Sequence, residues 1–174
     1  MTDDKSVSFA YSTANNETPS ATLKNTTTWA RDLIDATSWS TSLSSSVAST
    51  TDVVMHDAPY TDWCEAALDA NWTTNGITGM GGVTTCATIT PGNRCQQAHV
   101  RISTLYFNAH TVTPRRWITC HEIGHALGLA HRALTAGCMD DCVDSSTPAY
   151  SAHDLAHLAA ALTQSATAGT ICPS

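Results

Sequence analysis

The chain has little charge, few aromatic side chains and no long apolar run. Of its 174 residues, 13% are charged and 6% aromatic, and 8 Lys and Arg stand against 15 Asp and Glu, which gives a net charge of −7. Because basic residues scattered along an acidic chain form no basic stripe, we expect no nucleic-acid partner. No stretch approaches the ~18 consecutive apolar residues of a membrane helix, so we expect no membrane span.

The first residues, Met1–Lys5, have neither the basic segment nor the apolar run of a secretory signal. Seven cysteines, however, are many for a chain of 174 residues and favour an oxidising compartment. We therefore expect a secreted protein whose signal has been removed. The length predicts a single domain over residues 21–174, preceded by a frayed segment, 1–20, with a strand at 7–11.

One stretch combines three histidines and a glutamate within the eleven residues 121–131. In a helix, His121 and His125 lie one turn apart on one face with Glu122 beside them. Gly128 stands where the chain must leave the helix, and the turn can return His131 as a third ligand. Three nitrogen ligands leave the fourth position of a zinc ion open to water, as in catalytic sites, with Glu122 as general base. An ordinary amphipathic helix is the alternative reading.

Residues 121–131 resemble the H-E-x-x-H-x-x-G-x-x-H signature of the metzincin metallopeptidases, and Met139 is similar to the methionine of their turn, at the matrixin spacing. The resemblance implies an α+β zincin fold in which a small twisted mixed sheet packs on two long helices. The zinc-site helix would be followed by a Met-turn and a C-terminal helix. It also implies one catalytic Zn²⁺, with Met139 as an apolar floor that does not ligate the metal.

The resemblance further implies a substrate-binding edge strand. Our candidate is the segment Gly81–Thr85, to which a peptide would add through main-chain hydrogen bonds. An edge covered by a loop is the alternative. The predicted substrate-contacting residues on this strand are Gly82, Val83 and Thr84. Pro148 and Tyr150 are similar to the Pro-x-Tyr wall of the matrixin substrate pocket.

Four cysteines suggest two disulfides. Cys120 precedes the first histidine and Cys138 precedes Met139, so a bridge between them would tie the helix to the turn. Cys86 and Cys95 bracket a turn-forming Pro-Gly-Asn stretch and could staple a hairpin. Free buried cysteines are the alternative, and the partners of the other three cysteines stay open. These are Cys64, Cys142 and Cys172.

The acidic run Asp140–Thr147 could hold calcium, but it lacks the spaced oxygens and the glycine of a dedicated loop. We therefore expect a solvated acidic turn, and calcium is unsupported.

Patterning predicts the remaining elements. We expect helices over Thr22–Ala36, from Thr113 and from Ser151, strands at Val53–Met55, Gly81–Ile89 and Ala98–Phe107, and a loop over Thr37–Thr50.

Together these features predict a monomeric, secreted zinc endopeptidase that acts on peptide or protein substrates. Two alternatives remain open: a zinc-stabilised pseudopeptidase that binds peptides without cutting them, and a processing protease or toxin of narrow specificity.

Overall fold

The computed structural model describes residues 5–14, 18–57, 81–91, 94–132, 137–140 and 148–160. Within these ranges the chain forms a mixed α/β arrangement of five strands and four helices, compatible with the α+β prediction. In chain order the elements are β1 (Ser6–Tyr11), α1 (Ala21–Asp35), β2 (Ser40–Leu43), β3 (Val53–His56), β4 (Gly82–Thr90), β5 (Arg94–Ile102), α2 (Thr104–Ala109), α3 (Val112–Ala126) and α4 (Ala152–Ala160).

The five strands form one sheet in the order β2-β1-β3-β5-β4. The first three neighbouring pairs are parallel, and β4 runs antiparallel to β5 at the other edge. The strand predicted at residues 7–11 is β1. It lies between β2 and β3, and Val7 and Phe9 are fully buried, so this part of the N-terminal segment belongs to the core of the sheet.

Two helices of 15 residues, α1 and α3, contact each other, and α3 also contacts β4 and β5. Helix α1 begins at Ala21, one residue before the predicted start, because the Ser20 side chain accepts a hydrogen bond from the Leu23 N–H. Its apolar positions Leu23, Ala30 and Ile34 are buried against the rest of the core. This spacing is that of a helix with one face turned to a core.

Two sequence predictions were wrong. The stretch Thr37–Thr50 is not all loop, since it contains β2, a short edge strand with no buried residue. The strand predicted over Ala98–Phe107 ends at Ile102, because the Ser103 side chain accepts a hydrogen bond from the Tyr106 N–H and begins helix α2. Alternation of apolar and polar residues detects a strand only where one face is buried, so it misses a polar edge strand such as β2. It also cannot locate the end of a strand that is followed directly by a helix, as β5 is.

A disulfide joins Cys86 and Cys95 across the β4–β5 hairpin, the pairing predicted from the turn between them. No helix in the described part of the chain is long and apolar enough to cross a membrane. The other three cysteines, Cys64, Cys142 and Cys172, and the acidic run after Asp140, lie outside the described residues.

Candidate metal centre

Helix α3 carries the predicted site and is buried on nearly all sides over its second half. Every residue from Trp117 to Gly124 is buried, including the polar side chains of His121 and Glu122. Such polar groups are costly to bury unless they are hydrogen-bonded or bind an ion. His121 and Glu122 therefore need partners inside the protein.

The end of α3 has the sharp turn that the sequence predicted. Gly128 has a φ of 88°, the left-handed region that favours glycine. The Leu129 N–H donates to the Gly124 carbonyl at 2.9 Å and the Gly128 N–H donates to the His125 carbonyl at 2.9 Å. These two bonds form a Schellman motif, which turns the chain back toward the helix.

The turn brings three imidazole nitrogens together. His131 Nε2 lies 2.9 Å from His121 Nε2 and 2.9 Å from His125 Nε2, and the latter two are 3.1 Å apart. Each separation is shorter than twice a Zn–N bond of ~2.0–2.1 Å, so one ion can contact all three nitrogens. The three histidines of the sequence motif thus form a group that could hold a metal ion.

Backbone carbonyls determine which nitrogen of two rings carries the proton. His121 Nδ1 lies 2.7 Å from the Cys138 carbonyl oxygen and His125 Nδ1 lies 2.9 Å from that of Leu129. A carbonyl only accepts, so each Nδ1 must donate its hydrogen, and each Nε2 then presents a lone pair. A metal ion bound to both nitrogens would remove the repulsion between these facing lone pairs.

The electrostatics of the site favour neutral imidazoles. Burial, aided by the neighbouring His125, lowers the pKa of His121 to about 3, and burial likewise lowers the pKa of His125. Neutral imidazole is the form that ligates a metal. The donor set of three neutral nitrogens suits zinc, copper, iron or nickel better than calcium or magnesium.

Glu122 lies on the same helix, 4% exposed, against strand β4. Burial raises the pKa of its carboxyl group to about 8, and a hydrogen bond from Thr84 opposes this rise. A cation bound nearby would lower the pKa again. A carboxyl group with a pKa near neutrality can both take and return a proton.

The turn that contains Met139 packs directly beneath α3. A disulfide joins Cys120 to Cys138, as predicted, and the Arg132 N–H donates to the Met139 carbonyl at 2.9 Å. Met139 is fully buried, and its sulfur lies beside Gly124, the residue before His125. The loop after the third histidine is thereby connected to the methionine turn.

The other predicted site residues fall in two places. Gly82, Val83 and Thr84 lie on β4, which is an edge of the described sheet, and β4 contacts α3. Pro148 is partly exposed, whereas Tyr150 is 6% exposed and donates its hydroxyl to the Cys120 carbonyl at 3.1 Å. The structure gives Tyr150 a packing contact beneath α3, and its role in a substrate pocket stays a prediction.

Sequence reasoning missed a residue that packs on the first histidine. The Trp117 ring is stacked on that of His121 with centroids 4.8 Å apart. The signal was present, since residues four apart lie on one face of a helix. Trp117 therefore restricts the orientation of the His121 imidazole.

No protein-family model matches this chain, and no curated protein matches its sequence.

Proposed function

We propose that this protein is a zinc-dependent endopeptidase of the metzincin type, similar to the matrixin branch. One observation carries the proposal: three imidazole Nε2 atoms converge within 2.9–3.1 Å beside a buried carboxyl group on the same helix. A purely structural zinc site is closed by a fourth protein ligand and needs no adjacent base. Among the described residues three nitrogens converge, and Glu122 beside them is the kind of base that zinc-dependent peptide hydrolysis uses.

In this proposal His121, His125 and His131 hold the zinc ion. When bound, zinc supplies a water molecule of lowered pKa and polarises the scissile carbonyl group. Glu122 takes a proton from the attacking water and later gives it to the leaving amine. The Cys138 and Leu129 carbonyls keep two of the imidazoles in the tautomer that ligates metal.

The proposed substrate is an extended peptide or protein segment. Strand β4 is hydrogen-bonded to β5 on one side and forms an edge of the described sheet. Its residues Gly82 and Thr84 lie against Glu122, so a peptide that adds to this edge would pass close to the proposed base. Main-chain pairing of this kind selects extended backbones and reads side chains weakly.

Two further features support the metzincin type and secretion. The expected architecture is compatible with three features of the structure. These are a mixed sheet with one antiparallel edge strand, two helices of 15 residues, and a methionine turn behind the site. The two disulfides fit an oxidising compartment outside the cytoplasm.

The test is digestion of a diverse pool of unfolded peptides by the zinc-loaded protein, read by mass spectrometry. It is run with and without a chelator and beside Glu122→Ala, which should still bind zinc. We expect cuts that the chelator abolishes and that the variant makes at least about 100-fold more slowly. His153→Ala, at an exposed histidine of α4, is the matched control and should cleave like the wild type.

Cleavage by Glu122→Ala at the wild-type rate would disprove the mechanism. Absence of cuts with one zinc bound per chain would disprove general endopeptidase activity and favour a peptide-binding pseudopeptidase or a processing enzyme of narrow specificity.

A further inference from the structure

The proposed base makes a hydrogen bond that its own helix does not provide. Thr84 Oγ1, on strand β4, lies 2.8 Å from Glu122 Oε2 and 2.7 Å from the Glu122 carbonyl oxygen. Both acceptors belong to one residue, 38 positions away in the chain. The Thr84 hydroxyl therefore contacts the side chain and the backbone of Glu122 at the same time.

Strand β4 can come this close because of Gly82. A Cβ atom at that position would lie 2.6 Å from Glu122 Cγ and 2.9 Å from Oε1, closer than real Cβ atoms approach their neighbours. Gly82 and Thr84 are two residues apart, so they share a face of the strand. In the register with β5 they lie opposite Ile102 and Val100, two buried core residues. This face of β4 is thus shaped around the Glu122 side chain.

The two oxygens of the carboxyl group are not equivalent. Oε2 accepts a hydrogen bond from Thr84, whereas none of the hydrogen bonds between described residues reaches Oε1. A buried carboxyl group that is held at one oxygen is restricted to few orientations. The position of Oε2 therefore determines where Oε1 points.

We propose that Thr84 is a positioning residue, which holds Glu122 through Oε2 and leaves Oε1 to exchange the proton during peptide hydrolysis. The kinetic part of this inference rests on the proposed function, and its structural part does not. Because Thr84 belongs to the edge strand, the same segment would align the peptide and orient the base. This would link the position of the substrate to the position of Glu122, which accepts both hydrogen bonds from Thr84 Oγ1.

The test compares three variants at this position. Thr84→Val keeps the shape and removes the hydroxyl, Thr84→Ser keeps the hydroxyl, and Thr84→Ala is a smaller variant for use if valine prevents folding. Thr88→Val is the matched control, because Thr88 is an exposed threonine on the same strand. Each protein is measured for the position of Glu122 in a crystal structure, for zinc affinity by chelator competition, and for kcat and KM on a peptide that the wild type cleaves.

We expect the Glu122 carboxyl group to leave its single position in Thr84→Val and Thr84→Ala. The value of kcat should fall about 10- to 100-fold, the usual effect of losing a hydrogen bond that orients a group in a metal site, while KM changes less than about threefold. Zinc affinity should stay within about threefold of the wild type, since both hydrogen bonds of Thr84 Oγ1 go to Glu122 and Glu122 is not a proposed ligand. Thr84→Ser should restore kcat, and Thr88→Val should leave it unchanged.

An unchanged Glu122 position in Thr84→Val would overturn the inference, as would equal kcat values for the valine, serine and Thr88 variants. If the wild-type protein cleaves no peptide, the proposed function fails. The crystal structures then decide by themselves whether Thr84 holds Glu122.

Discussion

At the scale of single residues, the contact between helix α3 and the methionine turn requires a glycine at position 124, which has no side chain. A Cβ atom on Gly124 would overlap the Met139 sulfur and lie 3.2 Å from Tyr150 Cε1. Two buried side chains thus occupy the space that any other residue would need. Gly124 allows the turn to reach the helix between the two histidines of its last turns.

This contact predicts an unusual result for Gly124→Ala. Alanine in a helix interior normally stabilises a protein by about 0.5–1 kcal/mol relative to glycine. Here overpacking should outweigh that gain, and we expect the free energy of unfolding to fall by about 1–3 kcal/mol. Urea denaturation of the metal-free protein measures the change.

The matched comparison is the same substitution in a Met139→Ala background, which removes the obstructing sulfur. The cost of Gly124→Ala should shrink or change sign there, in a double-mutant cycle. An equal cost in both backgrounds would show that the Met139 contact is not the cause.

At the scale of elements, the two disulfides both close short loops but have different neighbours. Cys86–Cys95 spans 9 residues of the β4–β5 hairpin, and Cys120–Cys138 spans 18 residues between α3 and the methionine turn. The Cys120–Cys138 bridge holds a residue that contacts a proposed metal ligand, because the Cys138 carbonyl accepts a hydrogen bond from His121 Nδ1. No such contact is seen for Cys86 or Cys95 among the described residues. The two bridges therefore contribute differently to the site.

We expect each pair of Cys→Ser substitutions to lower the free energy of unfolding by about 3 kcal/mol, because each frees a loop in the unfolded chain. Zinc affinity should fall about 10-fold or more only in the Cys120→Ser/Cys138→Ser protein, where the carbonyl that orients His121 becomes less restricted. Chelator competition measures this affinity, and the Cys86→Ser/Cys95→Ser protein is the control. Equal zinc affinity in both would contradict the prediction.

At the scale of the whole molecule, buried histidines make stability depend on pH. His56 is buried, its Nε2 lies 3.1 Å from His99 Nδ1, and burial, aided by His99 and Arg101, lowers its pKa from 6.5 to about 2. The folded protein leaves His56 unprotonated between about pH 2 and pH 6.5, while the unfolded chain binds a proton there. The contribution of His56 to the free energy of unfolding therefore falls as the pH falls below about 6.5.

The slope that His56 contributes is at most about 1.4 kcal/mol per pH unit. We expect His56→Gln, which cannot be protonated, to flatten the dependence of the free energy of unfolding on pH between about pH 4 and 6. Urea denaturation at several pH values in the presence of a chelator measures this slope. His153→Gln, at an exposed histidine, should keep the wild-type slope, and a wild-type slope in His56→Gln would refute the assignment.

The hydrophobic period of the sequence predicted the helices and strands that short stretches of sequence specify on their own. The apolar period predicted α1, and period-two patterning at residues 7–11 predicted β1. Strand β2 was missed because it is a polar edge strand held by pairing with β1. The end of β5 was placed five residues too late because the Ser103 cap competes with a period-two pattern that continues past it.

The sequence by itself determined the group of three histidines that could hold a metal ion. A helical period of 3.6 residues aligns His121 with His125, and a glycine that can adopt a positive φ returns His131, so short-range geometry was sufficient. Only the tertiary structure decided how Glu122 is held, because Thr84 and Gly82 reach it from an edge strand 38 or more positions away. Contacts between distant segments depend on sheet order and register, and no local period in a sequence contains that information.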